Sequence, residues 1–162
     1  MSDVVDLILA EHEKIRAWLS TLSQHGETIR IGAAASIAWR RLAGLLGVHA
    51  QAEQEIVYPA LWGLAPELLP PVLHAAADHD DIEEIARETD LQPTGSPAWW
   101  QTVNALRLTT TRHMTWEEQV LLPALCRSVS LAARNELARQ WTAYSCASAS
   151  DAGDLALYKR CW

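Results

Sequence analysis

The sequence predicts an all-α protein, an up-down four-helix bundle with an additional helical segment at its C-terminal end. Apolar residues recur at spacings of three and four over several long stretches. Connections rich in proline, glycine and polar residues separate these stretches. The pattern His-x3-Glu-x5-Pro-Ala-Leu occurs twice, beginning at His49 and at His113. This duplication indicates two related helical hairpins.

The first predicted hairpin joins a helix from Asp3 to about Ser23 with a helix from about Ala33 to Leu61. The first helix carries one apolar stripe with His12 in its middle. It is expected to end at Gln24-His25-Gly26, where glycine suits a left-handed cap and His25 faces solvent. Pro59 is expected to bend or end the second helix, because proline lacks a backbone N–H and clashes with the preceding turn.

The second predicted hairpin joins a helix from about Pro71 to Thr89 with a helix from Pro97 to about Leu122. Ser96 before Pro97 is a favourable N-cap followed by proline at the first helical position. The connection between the two hairpins, from Gly63 to Pro71, is rich in turn-forming residues.

A C-terminal addition follows the bundle. A fifth helix is predicted from Leu131 to about Tyr144, with Ser130 as its cap. The run from Ser148 to Asp151 is expected to break this helix, and Leu155 to Tyr158 is expected to form a short docking turn. We therefore expect residues 1–125 to form the bundle and residues 126–162 to be a helical extension packed on the same domain.

Composition narrows the class of protein. The 162 residues suit one domain, and a net charge of −7 argues against binding to nucleic acid or to an anionic membrane surface. The start of the chain lacks the basic and apolar regions of a secretory signal, and no apolar run approaches the roughly 20 residues of a membrane helix. Cys126, Cys146 and Cys161 show no CxxC spacing. The expectation is a soluble cytoplasmic protein, with no sign of a particular protein partner.

Six side chains on the inward stripes of four helices form a candidate metal site. Residues four apart on a helix lie about 40° apart around its axis, so each His-x3-Glu pair points one imidazole and one carboxylate the same way. Unpaired buried carboxylates cost several kcal/mol each, and these stripes carry no lysine or arginine. A metal cluster would neutralise the carboxylates and satisfy the imidazoles. The predicted ligands are His12, His49, Glu53, His79, His113 and Glu117.

The types of ligand indicate which metal the site prefers. Calcium and magnesium favour oxygen over four imidazoles, and a thiolate zinc site would need cysteines near the cluster. Two carboxylate-bridged iron ions in a helical bundle fit best, with manganese the lesser option. The ferritin-like di-iron proteins use the spacing Glu-x2-His, which this sequence lacks.

From about Leu9 to Leu125 the chain resembles the hemerythrin-like (HHE cation-binding) family. The resemblance rests on the six predicted ligands, whose order and spacing match the family pattern. It implies a di-iron four-helix bundle that binds or reacts with oxygen. It also implies two histidines for each iron, with Glu53 and Glu117 bridging both ions together with an oxo or hydroxo group.

The sequence departs from the oxygen carriers of that family at two positions. The carriers have a further histidine where this chain has Ala75, and an aspartate where it has Glu118. His74 is rotated by about 140° from His79 on an ideal helix, so we predict that it is not a ligand. Glu117 is preferred to Glu118 because it mirrors Glu53. Whether His74, Glu83 or Glu118 joins the metal shell stays open, with Glu83 expected to be solvated or to support a ligand.

Four neighbours of the motifs are predicted to be packing residues. Tyr58 lies about 140° from Glu53 on an ideal helix and is expected to belong to the core. Ile56, Trp116 and Val120 are expected to wall the site and limit the access of water.

Three functions suit such a site. The first is a protein that binds or senses dioxygen, nitric oxide or peroxide, or that stores iron. The second is an enzyme, either catalase-like or an oxidase or oxygenase, that decomposes hydrogen peroxide or activates dioxygen to oxidise a small molecule. The third is a scaffold, in which the metal only stabilises the bundle. The sequence favours the first, leaves enzymatic activity open, and does not identify the natural effector.

Overall fold

Five long helical segments build the protein, and no strand occurs among the residues that the structure describes. The structure is a computed structural model and describes residues 2–24 and 32–151. Two of the long segments are interrupted by a π-helical turn, so they are numbered as two helices each. The helices are α1 (Val4–Gln24), α2 (Gly32–Ala52), α3 (Tyr58–Leu64), α4 (Leu69–Asp90), α5 (Pro97–Trp116), α6 (Leu122–Ser128) and α7 (Leu131–Asp151).

The predicted all-α helical bundle is confirmed. Helix α1 packs against α2, and α4 packs against α5, so each predicted hairpin is a packed pair. A short 3₁₀ turn, Pro66–Leu68, links the hairpins. The Ser96 hydroxyl caps α5 by accepting a hydrogen bond from the backbone N–H of Trp99 (3.1 Å). None of the described helices is long and apolar enough to cross a lipid bilayer.

Each His-x3-Glu motif runs directly into a π-helical turn. These turns are Glu53–Val57, between α2 and α3, and Glu117–Leu121, between α5 and α6. The backbone N–H of Tyr58 donates to the Glu53 carbonyl, and that of Leu122 donates to the Glu117 carbonyl, each reaching back five residues. The next residue is proline in both cases. A proline ring clashes with the carbonyl four residues before it, and the wider turn accommodates this clash while the chain stays helical.

The expectation that Pro59 bends or ends its helix is thereby replaced by a more specific structure. The helical path continues from α2 through the π turn to Leu64. A second difference concerns the C-terminal addition, because α7 continues to Asp151 instead of breaking at Ser148. The run from Ser148 to Asp151 contains neither glycine nor proline. Its residues lower the stability of a helix only slightly, so the helix continues through them. The predicted end of α1 at His25-Gly26 and the docking turn at 155–158 lie outside the described residues.

Two apolar clusters fill the bundle, one towards each end. The first cluster includes residues from the start of α1, from α3 and from α7, and the second includes residues from the end of α1 and the first half of α5. Along each of the four bundle helices, the histidine predicted as a ligand lies between residues of the two clusters. The flanking pairs are Ile8 and Ile15 around His12, Ala52 and Leu46 around His49, Ala75 and Ile82 around His79, and Leu121 and Leu106 around His113.

Helix α7 packs against α1 and α2 beside this central layer. Arg134 anchors its start by donating to Asp3 Oδ2 (2.9 Å) and to the carbonyl oxygens of Cys126 (2.9 Å) and Val129 (3.2 Å). Further along α7, Leu137 and Trp141 are buried in the first apolar cluster. The addition therefore contributes to the core beside the histidine layer.

Candidate metal centre

The six predicted ligands meet in the polar layer between the two apolar clusters, and all six side chains are buried. The bundle helices α1, α2, α4 and α5 each supply one imidazole. The two carboxylates come from the first residues of the two π turns. Because each glutamate follows its histidine by one turn of regular helix, the two side chains of each motif face the same layer.

The two glutamates connect the hairpins. Glu53 Oε2 lies 3.6 Å from His49 Nε2 on its own helix and 3.2 Å from His79 Nε2 on the other hairpin. Glu117 Oε2 lies 3.4 Å from His113 Nε2 on its own helix and 3.3 Å from His12 Nε2 on the other hairpin. Each carboxylate therefore faces one imidazole from each half of the chain, which is the placement that a bridging ligand requires.

The donor atoms form two groups, each compact enough to hold one metal ion. The first group is His12, His49, Glu53 and Glu117, and the second is Glu53, His79 and His113, with the donor atoms of each group within 4.8 Å of one another. Glu53 belongs to both groups. The two groups use the histidines of the two hairpins separately, and the shared carboxylate joins them.

Several of these donors are buried without a hydrogen bond. They are His12 Nε2, His49 Nε2, Glu53 Oε2 and Glu117 Oε2, none of which has a hydrogen-bond partner in the described part of the chain. Buried polar atoms left in this state cost free energy, and a cation would satisfy all four at once. Imidazole and carboxylate donors in a helical bundle suit iron or manganese. The donor set therefore fits a metal centre. Cys126 and Cys146 are exposed and belong to neither group.

Carboxylates on the outer side of the layer lie beside three of the four imidazoles, and two of these imidazoles donate a hydrogen bond to them. The Nδ1–H of His12 donates to Glu118 Oε1 (2.8 Å), and that of His49 donates to Glu11 Oε2 (3.0 Å). His113 Nδ1 lies 3.5 Å from Asp78 Oδ2 but makes no hydrogen bond within the described part of the chain. The hydrogen bonds to His12 and His49 fix the orientation of these two rings and leave Nε2 as the atom that can bind a metal.

The position of Glu118 separates it from the predicted ligands. Its Oε1 atom accepts from both His12 and Arg16 (2.8 Å each), so it lies on the far side of the His12 ring from Nε2. Burial raises the pKa of Glu118, but its hydrogen bonds with His12 and Arg16 outweigh this and keep the pKa below its usual value. Glu118 therefore supports the orientation of His12 and belongs to neither donor group.

His79 is the imidazole with no carboxylate described beside its Nδ1 atom. His79 Nδ1 is buried and unpaired among the described residues. In the repeated motif, Gln54 occupies the position that corresponds to Glu118, and its side chain is exposed. The two halves of the centre therefore differ in the support given to their histidines.

Tyr58 departs from the sequence expectation. It is buried as predicted, but its hydroxyl donates to Glu117 Oε1 (3.2 Å) and its ring stacks on His79 with centroids 5.8 Å apart. A π turn completes one revolution in more residues than an α-helix. The fifth residue after Glu53 is consequently brought back towards the site. Burial, together with Glu53 and Glu117, raises the pKa of Tyr58 well above its usual value, so it stays a proton donor.

A π turn also explains why the expectation for Val120 was wrong. This side chain was predicted to wall the site, yet it is 42% exposed, while its neighbour Leu121 is buried. Ile56 and Trp116 are partly buried and pack against the first apolar cluster. Val120 lies inside the π turn, where a regular helical repeat no longer predicts direction.

The remaining candidates lie outside the cluster. His74 is half exposed, with its ring against Trp116 (4.4 Å between centroids) and its Nε2 3.7 Å from Asp78 Oδ2. Glu83 is exposed to solvent. Ala75 is completely buried in the first apolar cluster. Neither His74 nor Glu83 belongs to the two donor groups.

Charge in the layer is balanced between glutamates and imidazoles. Burial lowers the pKa of His49, but the carboxylates of Glu53, Glu11 and Glu117 outweigh it and raise the pKa to about 9. Burial raises the pKa of Glu53, but His49, His79 and His113 outweigh it and lower the pKa to about 2. Burial keeps the pKa of His113 below its usual value. Without metal, the site therefore holds an ionised Glu53 beside a protonated His49 at neutral pH.

Sequence reasoning did not assign roles to Glu11 and Asp78. The sequence did contain a sign that these two residues matter, because an acidic residue directly precedes a predicted histidine ligand twice, in Glu11-His12 and in Asp78-His79. Each acidic residue lies about 100° around the helix from the histidine that follows it. It therefore reaches the histidine of the neighbouring helix in the same hairpin, as Glu11 reaches His49.

The model of the Hemerythrin HHE cation binding domain matches residues 3–125 of the chain. Comparisons with curated proteins and with solved structures returned no significant match. The match covers most of the chain and includes all six predicted ligands and both π turns. Together with the all-helical bundle and its buried layer of histidines and glutamates, this shows that the chain belongs to the hemerythrin HHE cation-binding domain family.

Proposed function

We propose that this protein is a non-haem di-iron protein that binds or senses dioxygen or a related small ligand, such as nitric oxide or peroxide. The observation that carries the proposal is the placement of Glu53 and Glu117 between the histidine pairs of the two hairpins. Four imidazoles, with two carboxylates placed between them, are a donor set for two neighbouring ions. The ligands proposed are the six predicted from the sequence.

Iron is the preferred metal because the donors are imidazole nitrogen and carboxylate oxygen within a helical bundle, with manganese as the lesser option. When bound, two iron ions supply reversible redox chemistry and coordination positions for an exogenous ligand. Six protein side chains shared between two ions leave such positions open. The chain itself supplies a buried layer, closed by apolar clusters at both ends, that limits the access of bulk water.

The proposal is tested by metal analysis of the purified protein together with its optical spectrum. We expect about two iron ions per chain. We also expect an absorption band that changes when the reduced protein meets dioxygen or nitric oxide, and that returns on degassing. His74→Ala is the matched control, since it removes a histidine that lies outside both donor groups. One zinc and no iron after growth with added iron would refute the proposal.

A second candidate is an enzyme that decomposes hydrogen peroxide or activates dioxygen. Tyr58 favours it, because its hydroxyl is a proton donor held within the donor layer and hydrogen-bonded to Glu117. A phenol at this place can donate a hydrogen bond or a proton to a ligand that arrives beside Glu117. Rapid consumption of peroxide with release of oxygen, or oxidation of an added small molecule, would support the enzyme. The absence of any spectral response would support a scaffold.

A further inference from the structure

The side chain of Trp141 on helix α7 reaches the metal layer. Trp141 is 2% exposed, and its indole Nε1–H donates to Glu11 Oε1 (3.1 Å). Trp141 lies beyond residues 3–125, so the family pattern does not include it. The hydrogen bond is buried and joins residues 130 positions apart in the chain.

Glu11 links Trp141 to His49 by hydrogen bonds. Its second oxygen, Oε2, accepts from His49 Nδ1 (3.0 Å), while the indole ring of Trp141 lies edge-on to the imidazole with centroids 5.6 Å apart. The carboxylate is therefore held at both oxygens, by the indole on one side and by the imidazole on the other. His49 is also held directly, because the indole restricts the rotation of its ring.

We propose that Trp141 is a positioning residue of the metal centre, which acts through Glu11 to fix His49 with its Nε2 atom directed at Glu53. Helix α7 is then part of the site as well as part of the core. This inference rests on the proposed metal site. It adds a determinant supplied by the segment that follows the family domain.

The physical argument concerns the orientation of the carboxylate. A glutamate with one hydrogen-bond partner can rotate about its terminal bond, and the imidazole that it supports can rotate with it. A donor on the second oxygen removes this freedom. Partners of metal-ligating histidines typically change metal affinity about 10–100-fold when they are removed. The effect should fall on the ion held by His12 and His49, and not on the ion held by His79 and His113.

The test is Trp141→Phe, which removes the indole N–H and keeps an aromatic ring. Trp39→Phe is the matched control, because the Trp39 Nε1–H also donates to a carboxylate, Asp90 Oδ1 (2.6 Å), from a buried position in the second apolar cluster. Both variants lose the same volume and one indole hydrogen bond. We expect a chelator to remove one of the two irons about 10-fold faster from Trp141→Phe, and at the wild-type rate from Trp39→Phe.

Glu11→Ala tests whether Trp141 acts through Glu11. If it does, Trp141→Phe adds little to the iron release of Glu11→Ala, and the double variant matches the single one. Fully additive effects, or wild-type release from Trp141→Phe, would overturn the proposal. Equal acceleration in Trp39→Phe would overturn it as well, since it would reveal a general loss of packing.

A readout on the metal-free protein separates this inference from the proposed function. The His49 Nδ1–H proton resonance, shielded from exchange by its bond to Glu11, should broaden or shift in Trp141→Phe and stay unchanged in Trp39→Phe. A wild-type protein without iron that shows this pattern would refute the di-iron function and retain the positioning role. If the wild type binds about two irons but the His49 resonance is the same in Trp141→Phe as in the wild type, the di-iron function is retained and the positioning role is refuted.

Discussion

Tyr58 and Glu117 are joined by a hydrogen bond across the bundle, with 3.2 Å between the phenol oxygen and Oε1. The two residues belong to the two different repeats of the motif, so the bond links one half of the centre to the other. It draws electron density from the carboxylate that is proposed to bridge the metals. A residue outside the six proposed ligands is thus placed to influence the chemistry proposed for the centre.

Tyr58→Phe should preserve the fold and the iron content but lower the reduction potential of the centre. Loss of the hydroxyl leaves more negative charge on Glu117, which favours the oxidised metal. One lost hydrogen bond of about 1 kcal/mol corresponds to a shift of some tens of millivolts for a one-electron step. A redox titration followed by absorbance measures it. Tyr144→Phe is the control, because its hydroxyl donates to Gln51 at the surface (3.2 Å). Equal potentials in all three proteins would contradict the role of Tyr58.

Glu53→Ala should lower both the iron content and the thermal stability. Glu53 is the residue shared by the two donor groups, so its loss removes a donor from both. We expect about one iron or fewer per chain, and loss of most of the increase in melting temperature that iron gives the wild type. Iron analysis and thermal unfolding with and without chelator measure these effects. His74→Ala should resemble the wild type in both. A Glu53→Ala protein with full iron and an unchanged melting temperature would show that Glu53 does not bridge.

Glu118→Gln should weaken iron binding without removing a metal ligand. A glutamine side chain at this place offers a poorer acceptor to the His12 Nδ1–H and loses the ion pair with Arg16. We expect a loss of about 10-fold in iron affinity, measured by competition with a chelator. Glu83→Gln is the matched control, since Glu83 is exposed on the bundle surface. Complete loss of iron in Glu118→Gln would instead mark Glu118 as a direct ligand.

The metal-free protein should lose stability as the pH rises from neutral. The pKa of His49 is raised to about 9 in the folded protein, whereas an unfolded histidine titrates near pH 6.5. Its stabilising effect is therefore fully present below about pH 6.5 and is lost as the pH rises through about 9. The total is up to about 3 kcal/mol of unfolding free energy, measured by urea denaturation at several pH values. His49→Gln should remove this dependence; the same dependence in both proteins would contradict the assignment.

Iron should reverse that trend. Binding displaces the proton from His49, so the apparent affinity for iron should rise about tenfold per pH unit until the imidazole is neutral. Stability measured with iron present should therefore hold, or increase, over the range in which the metal-free protein weakens.

Much of the centre could be predicted because its information is local. Two residues one helical turn apart must share a face, and this places His49 beside Glu53 and His113 beside Glu117 without knowledge of the fold. The π turns were not predictable by the same rule, since they change the helical phase after each glutamate. Tyr58 was expected to be core and proved to contact Glu117, and Val120 was expected to be inward and proved to be exposed.

Side-chain contacts between segments that are distant in the sequence could not be predicted from local patterns either. The acidic residue before His12 and the one before His79 were visible as a repeat, but their partners lie on neighbouring helices. Trp141 is a stronger case, because its apolar spacing in α7 predicted only packing. Its hydrogen bond to Glu11 depends on how α7 packs against α1, and the spacing of apolar residues within α7 does not predict that packing.

The unequal support of the four imidazoles has a consequence for assembly of the centre. On the His12 and His49 side, Glu118 and Glu11 hold both rings, whereas His79 has no partner at Nδ1 within the described residues. Rings that are already oriented lose less freedom when they capture an ion. The two positions should therefore fill in order, the His12–His49 position first, and they should empty in the reverse order. When iron is scarce, a population of singly occupied chains would accumulate, so the protein would respond to the supply of metal in two separate steps.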